Sequence, residues 1–232
     1  MALLAWLPKK KENGIALLVP IKNQPMVSVI VPAYNEEINA VRTVNSLLQQ
    51  DYPNMQVIFV DDGSKDNTFK IVQDTFIGNS KVKVFTKFNG GKASALNTGI
   101  ERSEADFVVC IDADTQLKTD AISRLMEKFT DEKVGAIAGN VKVGNEVNMI
   151  TRWQSIEYIT SQNFDRRAFA YLDCITVVPG AIGAFRKDAV QQAGGFTSDT
   201  LAEDCDLTMR LHRAGYTVAN CTEAISYTEA PE

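Results

Sequence analysis

The sequence predicts an α/β domain with a mostly parallel sheet flanked by helices, and three observations predict it. Short Val/Ile-rich runs alternate with amphipathic helical stretches through residues 26–133. Two of these runs, Met55 to Val60 and Asp106 to Ile111, stop at acidic clusters, Asp61-Asp62-Gly63-Ser64 and Asp112-Ala113-Asp114. The chain has 232 residues, 45% hydrophobic and 23% charged, enough for one large domain with a full core and short for two.

Taken in order, Met26 to Pro32 reads as a strand ending at proline. Asn35 is placed to cap the next helix, with Glu36 and Glu37 in its first turn and Ile38, Val41, Val44 and Leu48 at helical spacing. Met55 to Val60 is the second strand, and a polar turn from Gly63 to Asn67 leads into a helix carrying Phe69, Val72 and Phe76. Lys81 to Thr86 is a short strand, and a helix through Ala93, Leu96 and Ile100 precedes the strand Asp106 to Ile111. A further helix starts at Thr119, with Ile122, Leu125, Met126 and Phe129 on one face. The second half reads as a β-rich run from Val134 to Val143, then a long helix from about Val147 to Ala170. Short extended pieces come next around Pro179-Gly180, and a last helix runs from near Asp204 to Gly215. No internal repeat or interdomain linker is present, so residues 134–232 read as part of the same domain as 26–133.

A net charge of 24 − 29 = −5 argues against a nucleic-acid partner held through phosphates. Cys110, Cys174, Cys205 and Cys221 lack C-x-x-C spacing, which favours reduced thiols in a cytosolic compartment over a zinc site. No run approaches the roughly 18 apolar residues of a membrane span. Ala2 to Pro8 is apolar, however, and Lys9-Lys10-Lys11 comes directly after it, as at the cytoplasmic exit of a membrane helix. Residues 1–25 are therefore read as a juxtamembrane-like segment, with an ordinary terminus as the alternative; for a signal peptide the charges fall on the wrong side.

Carboxylates at the carboxyl ends of parallel strands converge on the rim where open α/β sheets bind ligands. Gathered there they repel one another unless a cation joins them, and a hard divalent metal carrying a nucleotide diphosphate answers that need. Asp-Gly alone could be only a turn, and D-x-D only a solvated strand end; the two in order, each closing a strand, favour the metal-nucleotide reading. Gly90-Gly91-Lys92 fails the Walker spacing, yet Lys92 at a helix start could meet a diphosphate. His212 reads as a surface residue, and Trp153, Tyr158 and Phe164 as core or interface.

Val27 to Glu36 (VSVIVPAYNE), Val60 to Ser64, Asn89 to Gly99 (NGGKASALNTG), Asp112-Ala113-Asp114, Pro179-Gly180, Gly194-Gly195-Phe196 and Ala202-Glu203-Asp204 together resemble the successive signatures of family 2 glycosyltransferases. The resemblance is to the processive membrane branch that makes poly-N-acetylglucosamine, chitin, hyaluronan and cellulose, and it covers about residues 26–230. It implies a GT-A fold, a Rossmann-like sheet with a smaller mixed acceptor-side region. It also implies a UDP-sugar donor (UDP-N-acetylglucosamine being preferred), a glycan acceptor, Mg²⁺ or Mn²⁺, and inversion at the anomeric carbon. Carried over residue by residue, Pro32, Tyr34 and Glu36 match the base and ribose pocket. Asp61 or Asp62, with Asp62 preferred, matches the uracil contact, and Lys92 a donor-binding lysine. Asp112 and Ala113 face the nucleotide, while Asp114, with Asp112, meets the metal. Gly180 and Glu203 fall on the acceptor side, and Asp204 matches the general base. Ala202 departs from the usual threonine, and no Q-x-x-R-W motif occurs before Glu232. The expectation is an excised catalytic domain at the cytoplasmic face of a membrane, anchored through segments outside this chain; a shorter non-processive relative is the alternative. Two rival functions stand beside it: a nucleotidyltransferase, which lacks its Gly- and Arg-rich loop here, and a catalytically silent UDP-sugar-binding domain.

Overall fold

A computed structural model describes residues 24–145, 149–158, 160, 166–200 and 202–228. Their order is β1 (Val27–Ala33), α1 (Ala40–Leu48), β2 (Met55–Asp61), α2 (Thr68–Phe76), β3 (Val82–Thr86), α3 (Lys92–Arg102), β4 (Phe107–Cys110), β5 (Gln116–Leu117), α4 (Ala121–Met126), β6 (Val134–Val143), α5 (Met149–Tyr158), α6 (Arg166–Tyr171), β7 (Gly183–Arg186), α7 (Lys187–Gln192), α8 (Glu203–Arg213) and β8 (Thr217–Thr228). The strands form one sheet in the order β3-β2-β1-β4-β7-β6-β8-β5. β3, β2, β1 and β4 are parallel, β7 runs against both its neighbours, and β6 pairs parallel with β8. β5 pairs antiparallel with β8, and every antiparallel pairing involves β7 or β8 of the second half.

Every residue of β1 and β2 is buried, because helices cover both faces of the sheet. On one face Val29, Val31, Val57, Phe59 and Val109 pack against Val44 and Leu47 of α1, Val72 of α2 and Ile122 and Leu125 of α4. On the other, Ile30, Ile58, Val60 and Val108 meet Leu96 of α3, Val190 of α7 and Leu207 and Leu211 of α8. Truncating a side chain such as the fully buried Phe59 to alanine would cost about 3–5 kcal/mol.

β1 passes through Pro32 rather than stopping there. Its register with β4 ends at Ile30 opposite Cys110, while that with β2 continues to Ala33 opposite Asp61. Alternation turns the Pro32 nitrogen toward the β4 side, where no partner remains, so the missing N–H breaks no ladder bond. β1 and β4 splay apart at this point, and the order of connections reverses between them, which opens the crevice that holds the site.

Several expected elements shift. Asn35 is not a helix cap: its φ is 56°, α1 begins only at Ala40, and Ile38 is 87% exposed rather than on the buried face. The Asn35 side chain is diverted to the neighbouring β2–α2 loop, where it accepts from the Lys65 amide at 2.8 Å. Of the long helix expected over 147–170, the described parts are α5 and α6; Trp153 is 66% exposed, and the Tyr158 side chain and Phe164 lie outside the described residues. Residues 1–23, including the Ala2 to Lys11 stretch, also lie outside them. Among the described residues no helix is long and apolar enough to cross a membrane. All four cysteines are free.

Candidate active site at the carboxyl edge of the sheet

The turn after β2 is built by its own aspartates. Asp61 accepts from Thr86 Oγ1 at 2.8 Å and, at longer range, from the Ser64 amide. Asp62 accepts from the Gly91 amide at 2.7 Å, the Gly90 amide at 3.1 Å and Lys87 Nζ at 2.7 Å. Both residues are 2% exposed. Gly63, next in the turn, has a φ of 73°, and a Cβ there would stand 2.9 Å from the Asn89 backbone nitrogen, so only glycine fits. Asp62 thus fastens the Gly90-Gly91 loop that presents Lys92 at the start of α3. A uracil contact by Asp62 would have to share oxygens that already hold three protein donors.

This loop is clasped to the one after β1. The Asn35 amide donates to Ser64 Oγ at 2.9 Å, and the Glu36 amide to Thr68 Oγ1 at 2.8 Å. The Asn67 amide donates to the Glu37 carboxylate at 3.0 Å. Tyr34 stands at the rim, 40% exposed, above this double loop, whereas Pro32 is buried in β1.

After β4 the D-x-D triplet keeps its two-residue alternation through a turn. Ala113 packs into the core at 5% exposure, and its carbonyl accepts from Thr43 Oγ1 of α1 at 2.6 Å. Asp112 and Asp114 face outward, half-buried. Ala113 therefore offers a ligand little but backbone, and its neighbours carry the charge. Glu36 joins them across the crevice: burial pushes its carboxyl above the ordinary value of 4.5, the Asn39 amide opposes, and the charges of Asp114, Asp66 and Asp112 push it higher. Among the described residues no three His, Cys, Asp or Glu side chains close into a metal cage. The donor set nonetheless fits a Mg²⁺-like ion, which takes one or two carboxylates and leaves its other positions to water and substrate phosphate. Burial leads the rise at Glu36, and the neighbouring carboxylate charges that add to it are ones a bound cation would offset.

The acceptor half reaches the same point. Lys92 Nζ lies 2.5 Å from Asp112 Oδ1 and 3.6 Å from Glu203 Oε1. Burial lowers the affinity of Lys92 for its proton, but Asp112, Glu203 and Asp204 together outweigh that and hold the ammonium charged. Gly180 lies directly beneath: a Cβ there would meet Lys92 Nζ at 2.9 Å. Asp204, in the first turn of α8, is half-buried and accepts from its neighbouring Cys205 amide at 2.8 Å. Arg166 of α6, 5% exposed, donates to the Gly139 carbonyl at 2.8 Å. Burial pushes its guanidinium down to about 10, and the Asp204 charge resists.

The structure thus brings Lys92, Asp112, Gly180, Glu203 and Asp204 to one place, with Glu36 and Asp114 alongside. Tyr34 stands at the rim, while Pro32, Asp61, Asp62 and Ala113 form the buried floor. Sequence reasoning passed over Thr43, Thr86, Lys87 and Arg166, which hold these groups from outside the motifs. Only Lys87 carried a visible signal, a second cation five residues before Lys92.

The chain and its fold match known proteins. The model of the family described as Glycosyl transferase family 2 matches residues 28–194. A poly-beta-1,6-N-acetyl-D-glucosamine synthase of Staphylococcus epidermidis is 32% identical over 228 residues, 97% of this chain and 55% of that protein. The synthase of the same name from Staphylococcus aureus is 30% identical over 207 residues, 89% of this chain and 50% of that protein. This chain therefore spans about half the length of the curated relatives it matches. Among solved structures, the mannosyltransferase PcManGT from Pyrobaculum calidifontis, in complex with GDP-Man and Mn²⁺, superposes with a TM-score of 0.74 at 23% identity, covering 90% of this chain and 58% of that one. Residues 1–349 of S. aureus TarS in complex with UDP-GlcNAc give 0.65 at 21% identity, covering 89% and 59%. The fold is GT-A, and the chain belongs to glycosyl transferase family 2.

Proposed function

We propose that the domain transfers N-acetylglucosamine from UDP-N-acetylglucosamine to a hydroxyl of a glycan acceptor, with inversion at the anomeric carbon, in polysaccharide synthesis. The observation that carries this reading is the meeting of both halves at Lys92, between Asp112 on the donor side and Glu203 on the acceptor side, with Asp204 alongside. The relatives' name supports the sugar and the product, and the UDP-GlcNAc complex of a fold neighbour supports the donor.

In this reading residues 26–133 bind the nucleotide-sugar and 134–232 the acceptor. Tyr34 and Glu36 line the base and ribose, with Pro32, Asp61, Asp62 and Ala113 as their support. Lys92 meets the diphosphate. Asp112 and Asp114 hold the divalent cation, Mg²⁺ or Mn²⁺, which when bound supplies positive charge to the departing diphosphate. Gly180 and Glu203 border the acceptor. Asp204 takes the proton of the acceptor hydroxyl as that oxygen attacks the anomeric carbon; one carboxylate acting as base, with no covalent intermediate, gives inversion. The site works at the cytoplasmic face of a membrane, reached through segments outside this chain.

Asp204→Asn tests the reading. Asparagine can still serve at a helix start but cannot take a proton, so transfer should fall by about 10²- to 10⁴-fold. UDP affinity by calorimetry and the melting temperature should stay near wild type. Near-normal turnover would leave Asp204 structural, and UDP binding without any transfer in the wild-type protein would favour the silent binding domain.

A further inference from the structure

Helix α8 is fastened along two rows of side chains. In one row Asp206 accepts from Thr197 Oγ1 and Arg210 Nε, each at 2.9 Å, and Arg210 Nη1 donates to the Ala193 carbonyl. That row holds the loop after α7 and is ordinary helix packing. The other row begins at the proposed base. Asp204, Thr208 and His212 recur at i, i+4 and i+8 and so share one face.

Thr208 is fully buried, and its hydroxyl is used in both directions. It donates to the Asp204 carbonyl at 2.6 Å and accepts from the Val178 amide at 3.0 Å. The first bond is the common back-bond of a helical threonine. The second comes from a segment thirty residues earlier. One turn further on, His212 Nε2 lies 2.7 Å from the Ile175 carbonyl; a carbonyl only accepts, so this ring nitrogen carries the proton and donates. His212 is half-buried and part of this seam, not the surface residue the sequence predicts.

The two residues after Val178 give the Thr208 bond its importance. Pro179, whose φ is fixed, links Val178 directly to Gly180. Gly180 packs beside the Lys92–Asp112 pair: a Cβ there would stand 2.9 Å from Lys92 Nζ and 3.9 Å from Asp112 Oδ1. One hydroxyl therefore joins the turn that carries Asp204 to the segment that packs beside Lys92 and Asp112.

We propose that Thr208 is a positioning residue, setting the separation between Asp204 and the Lys92–Asp112 pair and hence the approach of the acceptor hydroxyl to the donor. The inference rests on Asp204 being the base. Thr208→Val keeps the shape and removes both bonds, Thr208→Ser keeps them, and His212→Gln perturbs the same seam one turn away. In the full chain, transfer from UDP-N-acetylglucosamine to a β-1,6-linked N-acetylglucosamine oligomer is measured with UDP affinity, melting temperature and amide exchange at Val178. Misplacement of about an ångström costs roughly 10²-fold in rate, so kcat should fall tenfold or more in Thr208→Val, with KM for the donor and UDP affinity within twofold. Thr208→Ser should restore kcat, and His212→Gln should lower the melting temperature without the loss in kcat. Should Thr208→Val not fold, Thr208→Ala and Thr208→Cys carry the same comparison. Two results overturn the proposal: wild-type kcat in Thr208→Val, or equal losses in Thr208→Val and His212→Gln. Either can occur while Asp204→Asn is inactive, which leaves the proposed base standing. Exchange at Val178 reads the joint without turnover: protection unchanged in Thr208→Val overturns the proposal even with an inactive wild type.

Discussion

Glu36 shows how far a single side chain can report on its site. Its raised carboxyl pKa comes from burial first and from Asp114, Asp66 and Asp112 after that. A carboxyl whose folded pKa is raised binds its proton more tightly in the folded state than in the unfolded one. Its contribution to stability is therefore full below its ordinary value of 4.5 and is lost as pH rises through the raised folded value. At neutral pH, ionised Glu36 works against the fold, and Glu36→Gln should raise the melting temperature of the protein free of metal and nucleotide. That gain should disappear near pH 4, where the wild-type side chain is itself neutral; a gain independent of pH would show that ionisation of Glu36 is not the cause. The candidate residues were legible in sequence because each comes after a hydrophobic run or opens a helix. Their division into floor and working surface was not. Asp61 and Asp62 look as available as Asp112 and Asp114 on paper, and only the folded loop shows that Thr86, Lys87, Gly90 and Gly91 already engage them.

At the scale of elements, the parallel half was readable because β1, β2 and β4 are buried on both faces and so appear as nearly continuous apolar runs, interrupted inside the strands only by Ser28 and Gln56. β8 escaped notice: its twelve residues mix buried and exposed positions, include Asn220 and Glu223, and gain their order from β6 beside them. β5, two residues long, has no pattern of its own and exists by pairing with β8. The start of α1 was misread because Asn35 has the right chemistry for a cap but is engaged by another loop. A different pair of elements, α3 and the loop before α8, is joined by Asn97, which donates to the Phe196 carbonyl at 2.8 Å and accepts from the Phe196 amide at 2.9 Å. Asn97→Ala leaves both backbone groups without their partner and should cost about 1–3 kcal/mol in chemical denaturation. A cost under a few tenths would mean that water replaces the side chain and that the clasp is incidental.

For the molecule as a whole, the net charge of −5 and the carboxylates gathered at one sheet edge make nucleotide binding and cation binding a single problem. If UDP is held through a divalent ion, ligand at a hundred times Kd adds about 2.7 kcal/mol and should raise the melting temperature by roughly 5–10 °C. Either partner alone, or both with EDTA, should give much less, and Asp114→Ala should abolish the effect. An equal shift with UDP and EDTA would remove the ion from the proposed reading. The contact between Lys92 and Asp112 adds something about time. The resting protein keeps an ammonium on one of the carboxylates proposed for the metal, so in that reading a bare ion meets a guarded ligand, while an ion travelling with a diphosphate offers Lys92 a new anion to hold. Arrival is then concerted by design of the resting state: Mn²⁺ titrated alone binds weakly, UDP tightens it, and Mn²⁺ tightens UDP by the same factor.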